Sequence, residues 1–183
     1  MCAKFGLIAV SLLFATTACG AEVNAALELT ANGLGDLGSG TAYSVEAVSE
    51  ALPGYTVTAE SYYAEGDPYP MLVVREGEKT IAEIWPRFEM EELVGAILVK
   101  SEDITFEGRV SLGMKYSDLS IAPQECVAGL EERSGLALCQ DGKMPHVGII
   151  FGGDYAGPDG ELPPADVLAK FTVQEITWSA GVL

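Results

Sequence analysis

The sequence predicts an α+β fold, mainly antiparallel sheet with two or three short helices. Three observations carry this reading. Stretches of period-two alternation or of continuous apolar character are set off by Gly, Pro, Asn and Asp turns. Helical patterns are few and short, the clearest over residues 45–52 and 164–171. A chain of 183 residues with 49% apolar composition suffices for one sizeable core and is short for two.

Residues 1–18 hold one charge, Lys4, then an apolar run over residues 5–15 and the small residues Thr16, Thr17 and Ala18 before Cys19. This is the layout of a secretion signal. The run is roughly half of the ~20 apolar residues that cross a bilayer, so a cleaved signal is expected rather than a retained anchor helix. Ala18-Cys19-Gly20 is similar to a lipobox, in which the Cys19 thiol is alkylated with diacylglycerol and the chain is cut before it. Residues 1–18 are then the signal, 19–26 the lipid-attachment linker and 27–183 a single α+β domain. The usual leucine three places before the cysteine is Thr16 here. Ordinary signal peptidase cleavage, after Gly20 or Ala25, stays open and would give a soluble periplasmic protein.

Removing residues 1–18 takes away one Lys and no acid, leaving 9 basic against 27 acidic groups, a net of about −18 with His neutral. That acidity argues against nucleic acid or anionic headgroups as charge-bound partners. Cys2 falls in the signal and Cys19 is the lipidation candidate, so Cys126 and Cys139 are the cysteines of the body. In an oxidising periplasm two such cysteines read as a disulfide. A metal or redox pair is the weaker alternative, because neither a C-x-x-C spacing nor a His cluster accompanies them.

The elements follow in order. Residues 25–30 read as a short strand or its lead-in, and Asn32-Gly33 turns the chain into a glycine-rich stretch ending at Gly40. Ser44 can cap a helix over residues 45–52, with Val45, Val48 and Leu52 on one face, and Pro53-Gly54 stops it. Residues 55–63 alternate as a half-buried strand, which Asp67-Pro68 is expected to break. Residues 71–75 and 79–85 flank Glu76-Gly77-Glu78 as a hairpin, and residues 93–99 read as a strand covered on both faces, completing a four-strand meander. A short helix is expected near residues 118–122, then a disulfide-bounded loop over residues 126–139. Residues 147–151 and 172–178 read as strands, and residues 164–171 as a helix with proline in its first turn. Gly40-x-x-Tyr43-Ser44 recurs as Gly113-x-x-Tyr116-Ser117, a weak repeat that points to two matching turn-helix-sheet halves.

Several pieces together carry a family resemblance. They are Gly33-Leu34-Gly35-Asp36-Leu37, Ala51-Leu52-Pro53-Gly54-Tyr55, Leu112-Gly113-Met114 with Ser117-Asp118-Leu119, the pair Cys126 and Cys139, and the tail Phe151-x-Gly153-Asp154-Tyr155-x-Gly157-Pro158-Asp159-Gly160 leading to Leu162-Pro163, Ile176 and Trp178. In these the chain resembles the sigma-E-regulated (RpoE-regulated) lipoproteins of bacteria, whose domain is of unknown function. The resemblance implies an outer-membrane lipoprotein facing the periplasm, a place in the envelope-stress response, and no catalytic residues to carry over.

Chemistry-bearing patterns are sparse. Gly33-x-Gly35-x-x-Gly38 imitates a dinucleotide fingerprint, but the helical pattern begins only near Ser44, too late to face a pyrophosphate, so tight turns are the reading and no cofactor is expected. His146, the only histidine, has no partner in sequence for nucleophilic catalysis and reads as structural. Asp154, Asp159, Glu161 and Asp166 crowd one stretch without an EF-hand spacing, and solvated loop acids are expected there rather than metal ligands. Tyr62, Tyr63, Tyr69 and Trp85 could form an aromatic face, although core or rim packing is the plainer reading. The expectation is a non-enzymatic envelope lipoprotein, held to the membrane by an N-terminal lipid. It would bind an envelope protein or component through its sheet face or through Asp154, Tyr155, Asp159 and Glu161. The alternatives are a periplasmic small-ligand or calcium-binding module, or a hydrolase of cell wall or lipid using carboxylates.

Overall fold

Glycine conformations shape the N-terminal segment. Gly33 adopts φ +136°, and a Cβ there would lie 1.9 Å from the Leu37 carbonyl oxygen, so only glycine fits the close approach of the two chains. The result is three short strands, β1 (Glu28–Thr30), β2 (Gly33–Leu34) and β3 (Leu37–Gly38), which with β8 (Thr105–Phe106) make a small sheet in the order β3-β2-β1-β8. The β1–β8 pair is parallel. Of the fingerprint glycines, Gly35 (φ +56°) takes the β2–β3 turn while Gly33 and Gly38 pair across that hairpin, and Leu29, Leu34 and Leu37 are buried in the core. The computed structural model describes residues 27–140 and 145–181. Cys2, Cys19 and the expected signal and linker lie outside the described residues.

Helix α1 (Val45–Ala51) begins where expected, with the Ser44 hydroxyl accepting from the Ala47 N–H at 3.2 Å. It buries Val48, while Leu52 at its end closes the same face. The chain then forms β4 (Thr56–Ala64), β5 (Asp67–Glu76), β6 (Lys79–Arg87) and β7 (Met90–Val99), the expected meander. Its first turn is not at Asp67-Pro68. Glu65 (φ 53°) and Gly66 (φ 93°) make a two-residue hairpin turn with both residues left-handed, and Asp67 and Pro68 already belong to β5.

The second half supplies β9 (Cys126–Ala128), β10 (Ala137–Gln140), β11 (Val147–Gly152), α2 (Ala165–Leu168) and β12 (Thr172–Ser179). All eight longer-range strands join one antiparallel sheet, β4-β5-β6-β7-β12-β11-β10-β9. It is two four-strand meanders joined through their last strands, β7 and β12.

Three expectations in this half are corrected. The helix near residues 118–122 is two 3-10 turns, Tyr116–Asp118 and Pro123–Glu125, because Pro123 holds Ala122 extended (φ −78°, ψ 141°). The segment between the cysteines is not simply a loop, since Cys126 and Cys139 sit opposite each other on paired strands β9 and β10. The helix over residues 164–171 shrinks to α2, after which the Phe171 N–H bonds to the Leu168 carbonyl in a tighter turn that buries the Phe171 ring.

Alternation along the registers defines two faces. Val57, Leu72, Val74, Ala82, Ile84, Ile97, Val99, Val147, Ile149, Phe151, Ile176 and Trp178 form the inner face, in one core with Leu29, Leu34, Val48 and Leu52. The Trp178 indole N–H donates to the Ala31 carbonyl at 2.9 Å, tying the last strand to the small sheet. Among the described residues neither α-helix packs on the outer face, since the buried Val48 of α1 and Leu168 of α2 belong to this core.

Candidate functional site

Two hairpins overhang one end of the large sheet. Pairing between β5 and β6 stops at Leu72 and Ile84, whereas β4 and β5 stay paired out to Ala64 and Asp67. Pro68 and Pro70 account for this, because proline has no N–H to give to a third strand. The β4–β5 ribbon therefore stands beyond the sheet's bonded network, and the Phe88-Glu89 turn of β6–β7 lies at the same end. That second hairpin kinks at Trp85, Pro86 and Arg87, where the register shifts, and Gly95 permits the kink since a Cβ there would lie 2.4 Å from the Arg87 Cα.

This end concentrates aromatic surface. Tyr62 and Trp85 meet edge to face with centroids 5.4 Å apart, and Tyr69 lies directly across from Tyr62. Tyr63 is 67% exposed and Phe88 92% exposed, so these two rings give the fold no core contact. Full burial of a Phe is worth ~1.5–3 kcal/mol, which folding does not use at Phe88.

Acids surround the rings. Glu65, Asp67, Glu89, Glu91 and Glu92 are exposed. The nearby bases are engaged within the chain: Arg75 pairs with Glu60 at 2.7 Å, and Arg87 donates to the Ser39 carbonyl at 2.7 Å. The bonds from Arg75, then from Thr58, hold the Glu60 carboxyl below the usual carboxylate range.

On the outer face, near the other edge, Val127, Leu138, Ile150, Thr177 and Gln140 line a shallow apolar depression of about 420 Å³. An Arg133–Glu175 contact of 3.5 Å stands beside it.

The residues singled out from sequence are placed as follows. Cys126 and Cys139 form the disulfide. Asp154, Asp159 and Glu161 are exposed on the loop between β11 and α2, and among the described residues no three Asp, Glu, His or Cys side chains converge as metal ligands would. Tyr155 is half-buried and folds over Gly157, where a Cβ would lie 2.0 Å from its hydroxyl. The His146 Nδ1–H donates to the carbonyls of Ser179 and Gly181, at 3.0 and 3.2 Å, as a clasp on the C-terminal strand. Sequence reasoning named Tyr62, Tyr63, Tyr69 and Trp85 but missed Phe88 and Met90; the signal was the two-residue turn between Arg87 and Met90, which puts a large ring at a hairpin tip.

Comparison with known proteins agrees with this architecture. The crystal structure of the uncharacterized protein YfeY from Escherichia coli superimposes with a TM-score of 0.66 at 25% identity, covering 83% of this chain and 99% of that one. The curated sequence of YfeY from Escherichia coli (strain K12), an uncharacterized protein, is 26% identical over 153 residues, which is 82% of this chain and 78% of YfeY. The family model described as "Protein of unknown function (DUF1131)" matches residues 19–180. The chain belongs to the DUF1131 family, whose function is unknown.

Proposed function

We propose that the chain is a lipid-tethered protein of the bacterial envelope, attached at Cys19 and facing the periplasm from the outer membrane, with a non-enzymatic role in binding an envelope protein or component. The resemblance to sigma-E-regulated lipoproteins supplies the envelope-stress response as its setting. The observation that carries the reading is the aromatic end of the sheet, where Tyr62, Tyr63, Tyr69, Phe88 and Met90 stay exposed. Soluble domains leave clustered rings exposed chiefly where a partner covers them.

Geometry supports the division of labour. Leu27, the first described residue, shares a surface hollow with Leu52, Pro53 and Tyr55, immediately before β4 starts. Nine strand residues at ~3.3 Å each carry the ribbon tip roughly 30 Å from that hollow. A tether on the N-terminal side of Leu27 leaves the rings at the far end, free to meet a partner.

Photo-crosslinking amino acids placed singly at Tyr62, Trp85, Phe88 and Tyr155 in native envelopes test this. Adducts from Tyr62, Trp85 and Phe88, with little from the inward-folded Tyr155, are expected. No adduct above background from any of the four would refute the binding reading.

A further inference from the structure

The two meanders end in very different edges. β9 has three residues and is stapled to its neighbour by the Cys126–Cys139 bond. β4 has nine residues, pairs with β5 without a bulge, and contains neither Pro nor Lys. Natural sheets blunt exposed edges with short strands, prolines, lysines or bulges. β9 follows that practice and β4 does not.

The register fixes which groups β4 presents. Pro68 stands opposite Tyr63 and Pro70 opposite Ser61. Since proline cannot donate, the ladder bonds come from the alternate pairs, Glu60 with Met71, Tyr62 with Tyr69 and Ala64 with Asp67. The N–H and C=O groups of Val57, Ala59, Ser61 and Tyr63 therefore point away from β5. Among the described residues none of these groups has a hydrogen-bond partner on that side.

We infer that β4 accepts an added strand from a basic, extended polypeptide segment of the binding partner; this rests on the binding role proposed above and specifies its chemistry. The side chains flanking the open edge select for such a strand. Ala59 and Ser61 are small and leave room for bulky apolar residues on the inner-face side, whereas Glu60 and Tyr62 line the outer side. There Arg75 and Thr58 engage only the Oε1 of Glu60, and its Oε2, with the Tyr62 ring, suits Lys or Arg. Glu65 and Asp67 at the tip add negative charge. A second copy of the chain is disfavoured as occupant, because the chain carries a net charge of −17 and would oppose its own acids.

The test uses the mature protein, residues 19–183, with the synthetic peptide acetyl-(Lys-Val)4-amide, its Glu-Val counterpart, and a Lys-Val peptide N-methylated at alternate residues. Amide exchange and titration are read together. The Lys-Val peptide is expected to slow exchange at Ala59, Ser61 and Tyr63 and to bind about tenfold tighter than either control peptide. Ser61→Pro removes an outward donor without touching the β4–β5 ladder and should weaken binding by about tenfold at unchanged melting temperature. The methylated peptide keeps the test decisive if that variant folds poorly. Equal binding of the methylated peptide, or protection at residues away from β4, overturns the inference. So does a concentration-dependent dimer abolished by Ser61→Pro, which assigns the edge to a second copy. If the peptide fails while Tyr62 and Phe88 still crosslink a partner in native envelopes, the edge inference falls and the binding reading stands; if both fail, both fall.

Discussion

Tyr43 and Tyr116, which stand at the same place in the Gly-x-x-Tyr-Ser repeat, make the same backbone bond: each donates its N–H at 2.8 Å, Tyr43 to the Glu92 carbonyl and Tyr116 to the Phe171 carbonyl. The match extends to their neighbours. Ala42 bridges Leu93 as Lys115 bridges Thr172, and the Val94 N–H reaches Thr41 as the Val173 N–H reaches Met114. The repeat thus docks each half onto the last strand of its own meander, and those two strands, β7 and β12, pair at the middle of the sheet.

The two rings differ where the backbones agree. The Tyr116 hydroxyl donates to the Ile121 carbonyl at 2.8 Å and its ring packs on Phe151, whereas the buried Tyr43 hydroxyl has no partner among the described residues. Tyr116→Phe should therefore cost about 1 kcal/mol in urea unfolding, while Tyr43→Phe should be neutral or slightly stabilising. Equal losses in the two variants would contradict this asymmetry.

Burial pushes the Tyr43 phenol up to about 12. An unfolded tyrosine ionises near 10, so the contribution of Tyr43 to stability is complete below about pH 10 and is lost as pH rises through about 12. Burial raises Tyr55 and Tyr116 as well, with Glu76 and Glu125 adding to the respective shifts. Stability should fall across this alkaline window, and Tyr43→Phe should make the fall shallower. An unchanged slope, followed by urea unfolding between pH 9 and 12 (roughly the range in which phenols titrate), would count against a buried phenol.

The Cys126–Cys139 bond closes a loop of about 14 residues, worth roughly 3 kcal/mol on the chain-entropy model. Its loss should fall hardest on β9, the three-residue edge strand that it staples to β10. Replacing both cysteines by serine should lower unfolding stability by about that amount and speed amide exchange at Val127 and Ala128 first. A variant as stable as the parent would show that the staple contributes nothing.

Gly33 and Gly40 separate turn geometry from nucleotide binding. Gly33→Ala places a Cβ against the Leu37 carbonyl at a left-handed φ and should cost more than about 3 kcal/mol, whereas at Gly40 nothing lies within 4 Å and alanine should change stability by less than about 0.5 kcal/mol. Calorimetry of the two variants checks the contrast. Comparable effects would mean that the glycine-rich stretch is not held by this hairpin.

Legibility followed the reach of the interactions. Ser44 and Val45, Val48 and Leu52 are local signals, and α1 formed on them; the period-two run from Thr56 and the Glu76-Gly77-Glu78 turn placed the meander equally well. The Glu65-Gly66 turn was hidden because Glu seldom adopts positive φ, while Pro68 two residues later looked like the breaker. In the second half Pro123 stands 73 residues after Glu50 of α1 and prevents the matching helix, so the repeat kept its docking bonds and lost its helix. At the candidate site the tyrosines were legible as residue types, but their exposure depended on where the β5–β6 ladder stops, which the prolines fix only once the strands are paired.

The claim on which the functional account depends is that the body is tethered at Cys19. Intact mass of the protein extracted from the membrane fraction of its own host, before and after reduction, tests it directly. The account predicts the mass of residues 19–183 plus acyl chains, rising by about 2 Da on reduction of one disulfide. An unlipidated mass beginning after Cys19 would contradict the tether and make the protein a diffusing periplasmic one.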